Sequence, residues 1–168
     1  MTAKVLVTFA TKAGSTQEIA EAISTRLREK GLKVDIQPMK KVSDISGYSA
    51  IVLGAPMYMF HLIKDAPQFL SRFRKTLIEK PTALFSLGPF NDTEKDWAGV
   101  HENFEKEMAK FPWLKPVSTE VFGGKFDPTK LTFPFNVLPG LKQMPASDIR
   151  DWTKIQEWAD ELAKKFMA

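Results

Sequence analysis

Apolar residues along the chain switch repeatedly between runs suited to strands and spacings suited to helices. KVLVTFA, Lys4 to Ala10, is a short branched run of the kind buried on both faces of a parallel sheet. Beyond it Ile19, Ala20, Ile23 and Leu27 recur at helical spacing, and Gly31 stands where a C-terminal cap belongs. Lys33 to Met39 alternates as a second strand, near an edge because of Pro38. Ala50 to Pro56 is a third and more apolar run. A helix then carries Phe69, Leu70, Phe73 and Leu77 on one face, with Asp65 as its N-cap and Pro67 in its first turn. Thr82 to Gly88 reads as the fourth strand, followed by a helix that buries Trp97, Val100, Phe104 and Met108. Pro116 to Phe122 is the fifth strand. The last helix aligns Ile149, Trp152, Ile155, Ala159, Leu162 and Phe166, with Ser147 or Asp148 as its cap and Lys164 and Lys165 at its negative end. Core packing accounts for Trp97, Phe104, Trp152 and Trp158.

Five strands alternating with helices imply right-handed crossovers and an α/β fold with a doubly wound parallel sheet. Two connections stand out. KKVSDISGYS, between the second and third strands, has room for little more than a turn of helix. Gly123 to Ala146 is a 24-residue connection with four prolines, longer than loops without structure of their own usually run. The expected organisation is one domain over residues 1–168 with an inserted loop at 123–146, free of repeats and low-complexity sequence.

Composition narrows the chemistry. The 168 residues include no cysteine, which excludes disulfides, thiolate nucleophiles and thiolate metal sites, so redox chemistry requires a bound organic cofactor or a non-thiolate metal site. Two histidines, His61 and His101, lie far apart, and no metal site is expected. The net charge of +4 is scattered, a solvated face and not a nucleic-acid footprint. No basic and apolar leader opens the sequence, and no apolar run reaches the ~18 residues of a membrane span. The expectation is a soluble, cytoplasmic protein.

In open parallel sheets ligands sit beyond the carboxyl ends of the strands. Three loops leave those ends with unusual residues: Thr11 to Thr16, Gly54 to His61 and Ser86 to Asp92. The first joins a strand to a helix N-terminus, where free amides and the helix dipole favour an anion. Gly14 permits close backbone approach, and Thr11, Ser15 and Thr16 offer hydroxyls, so the loop reads as a phosphate seat; alternatively, Ser15 or Thr16 simply caps the helix. A single glycine satisfies neither the P-loop nor the dinucleotide pattern. A phosphoacceptor receiver domain would need acidic residues where Ala10, Thr11, Ala55 and Pro56 stand.

TKAGST resembles the T-x-x-G-x-T phosphate loop of flavodoxins. GAPMYMFHLIKDAPQFL, FSLGPFND and ASDIRDWTKIQEWADELA are similar to three further segments of flavodoxin-domain proteins allied to the menaquinone-dependent protoporphyrinogen IX dehydrogenases, which also carry an insertion before the last helix. The resemblance spans nearly the whole chain and implies a flavodoxin-like sheet of order 2-1-3-4-5 with FMN as cofactor. It implies that Thr11, Lys12, Ala13, Gly14, Ser15 and Thr16 surround the FMN phosphate. Pro56, Met57, Tyr58 and Met59 would line one side of the isoalloxazine, and Ser86, Leu87, Gly88 and Pro89 the other. An aromatic or thioether wall with backbone donors at the ring edge suits a flat, electron-poor ring. Phe60 stands where the family pattern has Gly, which argues against a left-handed residue there and against a peptide flip beside the flavin.

FMN binding leaves carrier and enzyme to be separated by other features. Carriers of the flavodoxin type are usually acidic, whereas this chain is basic, with an isoelectric point near 9.2. The insertion interleaves Phe126, Leu131, Phe133, Phe135, Val137, Leu138 and Leu141 with Lys125, Lys130 and Lys142, which suits a hydrophobic substrate, a membrane surface or a partner, or else a flap covering the sheet edge. The expected function is an FMN-dependent oxidoreductase acting on a hydrophobic quinone or porphyrinogen-type substrate, with a non-enzymatic electron-transfer flavodoxin as the alternative. Peripheral contact with the inner face of the membrane and a homodimer are further expectations. No nucleic-acid partner is expected. His61 is the one catalytic candidate, either a proton donor or a solvated loop residue.

Overall fold

A computed structural model of the chain describes residues 3–11, 14–58, 60–131 and 135–168. Its elements alternate as the apolar periodicity demands. β1 (Lys4–Phe9) leads into α1 (Ser15–Glu29), then β2 (Lys33–Pro38), a 3-10 turn over Met39–Lys41, and β3 (Ala50–Tyr58). The short β4 (His61–Leu62), α2 (Asp65–Arg72), α3 (Arg74–Glu79), β5 (Thr82–Leu87) and α4 (Glu94–Met108) follow. β6 (Ser118–Phe122), β7 (Lys125–Phe126), α5 (Pro139–Lys142), β8 (Ser147–Asp148) and α6 (Trp152–Met167) complete the chain.

The main sheet runs β2-β1-β3-β5-β6 with every one of these neighbours parallel, which is the expected 2-1-3-4-5 order; β4 adds an antiparallel pair to β3. Alternate side chains of each strand enter opposite layers. On one face Val5, Val7, Val52 and Phe85 meet Ile19, Ile23 and Leu27 of α1 and Ile155, Trp158 and Leu162 of α6. On the other, Leu6, Ile51, Leu53 and Leu84 meet Phe69, Leu70, Leu77 and Phe104 from α2, α3 and α4. Each such side chain, fully withdrawn from water, contributes about 1.5–3 kcal/mol. Trp158 packs edge-on against Phe85 and Phe122, and its indole N–H donates to Ser118 Oγ at 2.8 Å, so its polar end is satisfied inside the core.

Several local expectations change. The helix after β3 breaks at Phe73 into α2 and α3. Asp65 is the first residue of α2, not its cap, and pairs with Lys40 at 3.6 Å. α6 is capped by Asp151, whose carboxylate accepts the Lys154 amide at 3.1 Å; Ser147 and Asp148 form β8 instead. Trp152 lies outside the core, its ring beneath the Arg150 guanidinium at 4.7 Å.

The insertion has structure of its own. β7 pairs with β8 antiparallel, Lys125 opposite Asp148 and Phe126 opposite Ser147. Its root is tight: a Cβ on Gly123 would stand 2.2 Å from the Ile149 carbonyl oxygen. Phe126 is buried and stacks on Phe90, ring centres 5.5 Å apart. Beside β8 the Arg150 side chain, 4% exposed, binds Asp148 through Nε at 2.9 Å and Nη2 at 2.8 Å, and reaches Glu18 of α1 through Nη1 at 2.7 Å. The motif around Arg150 thus ties the insertion to the first turn of α1.

Two outcomes test this packing. A Cβ on Gly54 would lie 2.1 Å from the Phe85 ring, so Gly54→Ala should destabilise the protein by about 1–3 kcal/mol in urea denaturation. The hydrogen bonds of Arg150 hold the carboxyls of Glu18 and Asp148 below their ordinary values. Acids depressed by folding stabilise it above their unfolded pKa and lose that contribution as pH falls through the folded value. Arg150→Gln should therefore cost most near neutral pH, and its deficit against wild type should narrow between roughly pH 5 and pH 2.

Candidate functional site

The β1–α1 junction leaves helix amides unpaired among the described residues. Gly14 adopts φ 89, and its amide donates to Thr11 Oγ1 at 2.9 Å. Among the described residues no side chain caps α1, so neither Ser15 nor Thr16 plays the capping role of the alternative reading. The first helical bond runs from the Glu18 amide to the Gly14 carbonyl at 3.1 Å. The amides of Ser15, Thr16 and Gln17 precede it and have no acceptor among the described residues. Thr16 is fully buried, its hydroxyl unpaired among those residues, while Thr11 and Ser15 are half-buried. Unsatisfied donors at the positive end of a helix fit a phosphate group. Lys12 and Ala13 lie outside the described residues.

The second loop closes a hairpin in which Met57 faces Leu62 and Tyr58 faces His61. Pro56 is buried and Met57 and Tyr58 are half-buried; burial pushes the Tyr58 hydroxyl pKa up. Met59 lies outside the described residues. Phe60 is 72% exposed and adopts φ 70. The expectation that Phe60 keeps the left-handed region empty is therefore wrong. A two-residue hairpin connection favours positive φ, and the chain accepts about 1–2 kcal/mol of strain to place a side chain there.

The third loop begins at Gly88, with φ 127 and a cis bond to Pro89. The Gly88 amide donates to the Phe122 carbonyl at 3.1 Å, and the Pro89 carbonyl accepts from the Gly124 amide at 2.9 Å, which joins this loop to the root of the insertion. Ser86 points into the sheet: it is fully buried and donates to the Ala55 carbonyl at 2.8 Å, so its hydroxyl is already engaged. Leu87 is buried behind the loop. Among these four residues, Gly88 and Pro89 supply the backbone at the sheet end.

Between the second and third loops lies an open groove of about 400 Å³. Met57 and Phe60 form one wall, Leu87 to Asn91 another, and Lys95, Asp96, Gly99, Val100 and Asn103 of α4 the floor. Met144, from the insertion, completes it.

His61 does not stand free in solvent. Its Nδ1 lies 2.7 Å from Oε1 of Glu107, a side chain of α4 only 4% exposed. Glu107 also accepts from Lys110 Nζ at 2.5 Å and from the Leu62 amide at 3.2 Å. Burial pushes the Glu107 carboxyl pKa up, but the hydrogen bonds from Lys110, His61 and Leu62 outweigh it and hold the group below its ordinary value. Sequence reasoning missed Glu107 and Met144. Glu107 had a signal: it falls three residues after Phe104 and seven after Val100, an acid on the buried stripe of its helix. Met144 had none, because its place depends on how the insertion folds back. Among the described residues, no group of three or more histidine or acidic side chains is arranged to hold a metal, and no helix is long and apolar enough to cross a membrane.

A doubly wound sheet with an uncapped helix after its first strand and an apolar groove between two further sheet-end loops defines a nucleotide-cofactor-binding α/β protein. The family model described as Flavodoxin domain matches residues 6–134, and the chain belongs to that family, whose cofactor is FMN. Oxidised flavodoxin 1 from Bacillus cereus superposes with a TM-score of 0.61 at 20% identity, over 96% of this chain and 97% of that one. A mutant flavo di-iron protein from Thermotoga maritima gives 0.62 at 18% identity, over 99% of this chain and 36% of that longer one. Protoporphyrinogen IX dehydrogenase [quinone] of Escherichia coli (strain K12) is 27% identical over 86 residues, 50% of this chain and 48% of that protein. The match thus spans about half the length of that relative.

The unpaired amides at the start of α1 lead to the expectation that the FMN phosphate is a main anchor. FMN should bind at least about ten-fold more tightly than riboflavin, in line with a charge-assisted contact of about 1.5–3 kcal/mol. Gly14→Val, which forces a branched side chain onto φ 89, should erode most of that preference in fluorescence-quenching titrations.

Proposed function

We propose that the chain is an FMN-dependent oxidoreductase whose acceptor or donor is a hydrophobic quinone or porphyrinogen-type molecule. The observation that carries this reading is the apolar lining that continues past the residues assigned to the ring: Phe60, Phe90 and Val100 extend the groove, and Met144 of the insertion completes it. A one-electron carrier needs only an exposed flavin edge, whereas a flat apolar molecule gains from being held against the ring in such a cleft. The named activity of the Escherichia coli relative is in keeping with a quinone-type partner. The cofactor residues in this reading are Thr11 to Thr16 for the phosphate, Pro56 to Met59 on one side of the ring, and Gly88 and Pro89 on the other.

The flavodoxin likeness favours a second reading, electron transfer without a bound organic substrate. Steady-state assays of the FMN-loaded protein with menaquinone analogues separate the two. Saturable turnover is expected, and Met144→Asp should raise KM about ten-fold with FMN content unchanged, the equivalent of the roughly 1.5 kcal/mol or more that burying a methionine side chain contributes. Rates linear in quinone concentration and insensitive to Met144 would favour the carrier.

A further inference from the structure

The geometry points to His61 and Glu107 as a proton-delivering pair at the end of the groove, His61 giving a proton to the reduced substrate and Glu107 positioning its ring. It rests on the oxidoreductase reading above. Glu107 is buried and ionised, so it can only accept; the proton between it and His61 therefore sits on Nδ1. This leaves Nε2 without a partner among the described residues and open to the solvent side, since the His61 side chain is 66% exposed. The pair adjoins the groove from two directions. Phe60, the neighbour of His61, lines one wall, and Asn103, one helical turn before Glu107 on the same face of α4, lines the floor.

A quinone becomes a quinol by taking up two electrons and two protons. When bound, reduced FMN would supply both electrons and one of the two protons. The second proton passes from Nε2 of the His61 imidazolium to a quinone oxygen. The ring that remains is neutral, keeps its Nδ1 proton on the Glu107 side, and regains the Nε2 proton from water. Lys110, beyond the end of α4, pairs with Glu107, and Tyr58 stands opposite His61 across the hairpin. Lys110 completes the pairing of Glu107, so that one buried carboxylate can hold a histidine without being left unbalanced when that histidine is neutral.

Two readouts test the assignment. In long-range proton–nitrogen NMR of the cofactor-free protein at alkaline pH, the ring should carry its proton on Nδ1. Glu107→Met should abolish that bias, and Glu107→Gln, which keeps an acceptor, should preserve it. In single-turnover reduction of a menaquinone analogue by the reduced FMN-loaded protein, His61→Ala should be at least about ten-fold slower, the low end of general acid effects, and exogenous imidazole should restore part of the rate. A wild-type ring protonated on Nε2 overturns the proposal even where Glu107→Met fails to fold. Wild-type protein that reduces the quinone at a rate His61→Ala matches overturns the pair and leaves the oxidoreductase reading standing. Wild-type protein that reduces ferricyanide but no quinone overturns both.

Discussion

The ring of Phe85 lies against the backbone of Gly54, so close that a methyl group there would stand 2.1 Å from it. Much of the molecule follows from that contact. It brings β3 and β5 together with an aromatic side chain between the sheet and α6, and Phe85 then shares the same space with Phe122 and Trp158. Through Trp158 and Ser118 the last helix is locked to the edge strand β6. The loops after β3 and β5 consequently leave the sheet side by side, and the groove between them is a by-product of the strand order, not of the loops themselves.

Two charged side chains largely withdrawn from water each join distant pieces of chain. Arg150 connects β8 to α1; Glu107 connects α4 to the β3–β4 hairpin. A buried ion pair adds little net stability once desolvation is counted, while loss of one partner strands the other. Their effect is positional. Arg150 fixes the root of the insertion relative to α1, whose first amides are unpaired among the described residues, and Glu107 fixes the hairpin relative to the groove floor. Both contacts stand where an irregular segment borders the candidate site.

The alternation of strand and helix and the parallel order are legible in the sequence because each is encoded locally. Val5 and Val7 against Leu6, or Ile19 through Leu27, state which faces are buried, and the Gly14 segment carries its own conformational signature. The cap of α6 is not legible in the same way. Ser147 and Asp148 are good capping residues in isolation, and the β7–β8 pair that claims them is a contact between distant positions, Phe126 opposite Ser147 and Lys125 opposite Asp148. Ser86 belongs to a segment that resembles a flavin wall, yet strand alternation turns it inward to Ala55. Glu107 escapes a sequence reading because an acid on a helix is normally solvated, and only the arrival of His61, Leu62 and Lys110 makes its burial tolerable.

Phe60 shows how these levels depend on one another. A hairpin of two residue pairs is marginal by itself and has little capacity to hold a bulky residue in the left-handed region. Here the hairpin is supported from outside: Leu62 is buried, its amide is held by Glu107, and the neighbouring His61 of the same strand is held by that carboxylate as well. The carboxylate that orients the histidine therefore also sustains the turn that places Phe60 on the groove wall. The strain at Phe60 and the burial of Glu107 are each unfavourable alone; together they make a wall and a proton-bearing ring whose positions are set by one helix.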